Sequence, residues 1–131
     1  MERKDYYTAL GKLVYAIAQA DGKVQSEESS RIFDFVIAQL SKAEYAPEKG
    51  KTALKVFDIE KEFHRLRDEK VPAQKASQQF IDFVDAHNAD FTEEHKTTCI
   101  SLMKDVAEAH QGIDKTESAM ITKIKNHLEN I

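Results

Sequence analysis

Two short runs concentrate the side chains of this chain that could hold a cation. The first is Ile17-Ala18-Gln19-Ala20-Asp21-Gly22-Lys23-Val24-Gln25-Ser26-Glu27-Glu28. The second, offset by 89 residues, is Val106-Ala107-Glu108-Ala109-His110-Gln111-Gly112-Ile113-Asp114-Lys115-Thr116-Glu117. Asp21, Glu27 and Glu28, together with Asp114 and Glu117, are hard oxygen donors. Converging on one surface, they would bind a hard divalent cation through a few carboxylates and several waters, with modest affinity. His110 stands where the first run has Asp21, and an imidazole is a softer ligand than a carboxylate.

The run Asp21-Gly22-Lys23-Val24 followed by Glu28 has the form of half an EF-hand calcium loop. In that register Asp21, Gly22, Val24 and Glu28 fall on the fifth, sixth, eighth and twelfth positions. The first position is then Ile17, which offers no oxygen, and the second run places Val106 there. Neither run can build the usual calcium cage. A purely architectural role also accounts for the pattern. Asp21-Gly22 turns the chain, Val24 and Ile113 plug the end of a core, and Glu28 and Glu117 reach back to unpaired helix amides. Each such cap is worth about 1 kcal/mol.

No catalytic residue stands out elsewhere. Five histidines occur, at 64, 87, 95, 110 and 127, without a His-Glu-x-x-His pattern, and Cys99 has no second cysteine with which to share a zinc. Gly-x-Ser-x-Gly, P-loop and dinucleotide fingerprints are absent. Glu60, Glu62, His64, Arg65 and Arg67 read as a solvated helix face. His87 continues an apolar stripe and reads as a partly buried histidine, and Cys99 reads as an inert buried thiol. The chain therefore reads as a non-enzyme.

The elements that must position the two acidic runs are helical. Tyr7, Leu10, Leu13, Val14 and Ile17 mark one face of a first helix, roughly 2–20, ended by Asp21-Gly22. A second helix, roughly 26–43, carries Ile32, Phe33, Phe35, Val36, Ile37 and Leu40 over most of its circumference, the pattern of a buried central helix. Residues 44–50 read as a loop. Ala53, Val56, Ile59, Phe63 and Leu66 form a third helical stripe, with a candidate break near Asp58, ended by Val71-Pro72. Ala76, Phe80, Phe83, Val84 and His87 line a fourth helix over about 72–88. Thr92 caps a fifth, about 92–110, with Cys99, Leu102, Met103 and Val106 inward. Asp114 and Glu117 form a capping box opening a sixth, with Ile121, Ile124 and Leu128 inward.

The two runs belong to a weak duplication. At the 89-residue offset Leu13 falls on Leu102, Ala18 on Ala107, Ala20 on Ala109, Glu28 on Glu117, Ser29 on Ser118 and Ile32 on Ile121. Ile17/Val106, Val24/Ile113 and Phe35/Ile124 match in kind. The expected fold is all-α: a compact bundle of six to seven helices in one domain, 1–131, with two pseudo-symmetric helix–loop–helix motifs.

Composition sets the outer limits. The chain has 131 residues, 41% hydrophobic and 32% charged, with a formal net charge of −4. That length supports a core without disulfides or metal. Four Gly and two Pro are too few for the many tight turns of an all-β fold. Lys and Arg are scattered rather than striped, which argues against nucleic-acid binding. One cysteine fits a reducing compartment. Neither a leader-like apolar run near Met1-Glu2-Arg3-Lys4-Asp5 nor a membrane-length apolar stretch is present, so a cytoplasmic location without membrane insertion is expected.

The run Ala20-Asp21-Gly22-Lys23-Val24-Gln25-Ser26-Glu27-Glu28, following an apolar helix and opening a longer one, resembles the signature of the TerB-like family of tellurite-resistance proteins and co-chaperone N-terminal domains. The resemblance covers nearly the whole chain. It departs at the second motif, where Ala109-His110-Gln111 replaces the usual Ala-Asp-Gly and Gly112 comes one place late. It implies about seven helices, the extra one made by splitting residues 48–69. A bacterial cytoplasmic setting, a stress-response or scaffolding role and no demonstrated catalysis are also implied. As divalent-metal ligands the family pattern carries over Asp21, Glu28 and Glu117, with His110 standing where a second-motif aspartate would be.

Three readings of function follow. The chain is a non-enzymatic interaction or scaffold domain with protein partners, or a divalent-cation-binding domain using the acidic motifs. The third reading is an enzyme whose site is not contiguous in sequence.

Overall fold

The computed structural model describes residues 1–20, 52–109 and 115–131. The helix expected over 26–43, the Asp21-Gly22 turn and the loop at 44–50 lie outside them. Among the described residues every regular element is helical: α1 (Arg3–Ala18), α2 (Thr52–Asp68), α3 (Ala73–Ala86), α4 (Glu93–Ala109) and α5 (Lys115–Glu129), with a 3-10 turn (Asn88–Asp90) between α3 and α4. These are the first, third, fourth, fifth and sixth of the expected helices. The expected break near Asp58 does not occur. α2 runs unbroken from Thr52 to Asp68, so no additional helix arises within that span.

α1 packs against each of the other four helices. Its stripe reads from sequence as one-sided, but from Ala9 to Ala18 every residue except Lys12 is buried. The cause lies in side-chain size. Ala9, Gly11, Ala16 and Ala18 let neighbouring helices close in, while Tyr6 and Tyr15 bury their rings. The partner helices supply the faces that periodicity picks out: Ile59, Phe63 and Leu66 from α2, Ala76, Phe80 and Val84 from α3, Cys99, Leu102, Met103 and Val106 from α4, Ile124 and Leu128 from α5. Each large apolar side chain buried this way contributes about 1.5–3 kcal/mol.

Local chemistry sets the helix ends. α2 closes in a Schellman arrangement, with the Val71 amide donating to the Leu66 carbonyl and the Lys70 amide to the Arg67 carbonyl, both at 3.0 Å. The motif requires a left-handed residue after the helix, and Lys70 supplies it with φ 53°. Val71 packs against the core and Pro72 follows, which prevents the helix from resuming. Thr92 caps α4 as expected. The His95 amide donates to Thr92 Oγ1 at 3.3 Å, and the Thr92 amide donates to His95 Nδ1 at 3.0 Å. The imidazole takes the place that Glu or Gln holds in a capping box. Among the described residues no helix is long and apolar enough to cross a membrane.

Candidate functional site

The two acidic runs leave from helices that touch. α1 and α4, which lead into them, pack against each other, and α5, which opens after the second run, packs against both. The incoming arms match in burial as well as in sequence: Leu13 and Leu102, Ile17 and Val106, Ala18 and Ala107 are all buried. In the outgoing arm of the second run Ile124 is buried and Ile121 half-buried. Asp21, Glu27, Glu28, His110 and Asp114 lie outside the described residues. Glu117 is the third residue of α5, the position that a capping box demands. Its side chain is outside the described set. Among the described residues no three His, Cys, Asp or Glu side chains gather closely enough to hold a metal ion.

The ionisable groups that the described residues do bring together form a chain between α1 and α2. Glu62 is 6% exposed and accepts from Lys12 of α1 and from Arg65 of its own helix, the latter at 2.5 Å. Arg65 continues to Glu69 at 2.5 Å. This corrects the reading of Glu62 as part of a solvated face. The signal was in the spacing. Ile59, Glu62, Phe63 and Leu66 stand at i, i+3, i+4 and i+7, so the glutamate occupies the apolar stripe itself. Burial alone would raise the Glu62 carboxyl, but the hydrogen bonds from Arg65 and Lys12 outweigh it and hold the group below the usual carboxylate range. It is a fixed anion with two cationic partners, positioned to tie helices together.

A second cluster joins α1 to α4. The Tyr6 ring meets His95 edge-on at 4.8 Å and Phe91 at 6.1 Å between centroids. Its hydroxyl lies among Thr98 and Cys99, and burial pushes its ionisation well above the ordinary phenol range. Burial likewise pushes the Cys99 thiol far up, and its side chain is buried, as its place on an inward stripe implies. Tyr15 completes the set. Its ring packs edge-on against Phe63 at 5.7 Å and its hydroxyl donates to the Val71 carbonyl at 2.6 Å, tying α1 to the end of α2. His87, half-buried as expected, lies beside Phe83 at 4.6 Å. Across α3 and α5, Asp85 and His127 meet at 2.7 Å on the surface.

Among the described residues the helices gather round the first of them, and Ala-Asp-Gly follows that helix in sequence. A family model described as Tellurite resistance protein TerB matches residues 7–129. The chain belongs to the TerB family. The match begins within α1 and ends at the last residue of α5, so both acidic runs fall inside it. No curated protein and no solved structure shows significant similarity to the chain.

Proposed function

We propose that this TerB-family chain is a non-enzymatic helical interaction domain, acting as one unit over residues 1–131 and serving a scaffold role in a bacterial cytoplasmic stress response. The observation that carries this reading is the family match over residues 7–129. The described interior supports it. Glu62 is committed to two cations, and the Tyr6 and Cys99 protons are held by burial, so these groups serve packing rather than reaction. Chemical cross-linking in the source cell, followed by calorimetry with each purified cross-linked protein, tests it. A saturable one-to-one complex is expected. If no cross-linked protein binds the purified chain saturably, the reading fails.

A second reading makes the chain a divalent-cation binder through Asp21, Glu28 and Glu117, with Glu27, Asp114 and His110 beside them. The packing of α1 on α4, the helices that lead into the two acidic runs, favours it. A cation at about a hundred times its dissociation constant stabilises the folded chain by roughly 2.7 kcal/mol. The thermal midpoint should then rise with one of calcium, magnesium, manganese or zinc, and an Asp21→Asn/Glu28→Gln variant should lose that rise. An equal rise in the variant would remove the reading.

A further inference from the structure

We draw no further inference here: the strongest candidate, the exposed Phe57 side chain on the surface of α2, carries nothing because nothing among the described residues shows what covers it.

Discussion

Gly11 of α1 lies so close to Glu62 of α2 that a Cβ built on the glycine would sit 2.8 Å from the glutamate Cβ, and 2.7 Å from the Ile59 carbonyl oxygen. Contact with backbone cannot be relieved by turning a side chain. Two effects then oppose each other in Gly11→Ala. Helix propensity favours alanine by about 1 kcal/mol, while overpacking typically costs about 1–3 kcal/mol. With a carbonyl as the obstacle, the steric cost should prevail. Urea denaturation is expected to show a net loss of up to about 2 kcal/mol with an unchanged slope. A variant as stable as the parent would mean that α1 and α2 are not packed this tightly.

The same close approach places Glu62 at the contact of α1 and α2, where it is 6% exposed. A carboxylate this buried is tolerable because Lys12 and Arg65 bond to it. Glu62→Gln keeps the shape and removes the charge. It should destabilise by about 1–3 kcal/mol near neutral pH, less than a fully buried pair would, because Arg65 is 47% exposed. The folded-state pKa is lowered, so the folded chain binds this proton less readily than the unfolded chain does. The ion-paired stability is therefore present above the ordinary carboxylate pKa of about 4.3 and fades as pH falls through and below it. Denaturation of parent and variant at several pH values should show their difference shrinking on acidification. A constant difference from pH 7 to pH 3 would contradict the assignment.

How much of this was legible from sequence depends on what each signal measures. Periodicity reports one buried stripe per helix, and the inward residues of α3 and α4 followed from it. It could not report that α1 is enclosed nearly all round, because small residues such as Ala9 and Gly11 carry little hydropathy even where helices meet closest. Glu62 reads as solvated for a related reason: charge in a sequence signals solvent, although Ile59, Phe63 and Leu66 frame it on the inward stripe. The Thr92 cap was legible because a hydroxyl before a helix has one common use, while the partner role of His95 was not. Asp21, Glu28 and Glu117 stand in two distant runs, and local patterning does not encode how such runs approach each other.

Lys70 is in the left-handed region with φ 53°, which costs an L-residue roughly 1–2 kcal/mol relative to its preferred conformations. Lys70→Gly relieves that strain but gives the unfolded chain more freedom to lose. The net expectation is a gain of about 0.5–1 kcal/mol. Lys70→Val, with a β-branched side chain, should move the other way. Thermal midpoints for the two variants should straddle that of the parent, and a fall with glycine would argue against the Schellman ending of α2.

Thr92→Ala removes the hydroxyl that accepts the His95 amide at 3.3 Å. Loss of such a cap costs about 1 kcal/mol, and Thr92→Ser should recover most of it because the acceptor returns. Equal stabilities of the alanine and serine variants would show that the hydroxyl does not cap α4.

Tyr6 and Cys99 should set the alkaline limit of stability. Both pKa values are raised by burial, so the folded chain holds these protons more tightly than the unfolded chain does. Their contribution is fully present below the unfolded pKa values, about 8.5 for the thiol and about 10 for the phenol, and is lost as pH rises above them. Stability should therefore fall from about pH 8.5 upward, and Cys99→Ala should start that fall later while costing some packing. The same burial governs reactivity, because a thiol that is 0% exposed can meet a disulfide reagent only when the structure opens. Labelling of Cys99 at neutral pH should be slow in buffer, should accelerate with urea in step with the unfolding equilibrium, and should reach one thiol per chain on full denaturation. Complete labelling within seconds of mixing under native conditions would place Cys99 outside the core and undo the assignment of the Tyr6 cluster with it.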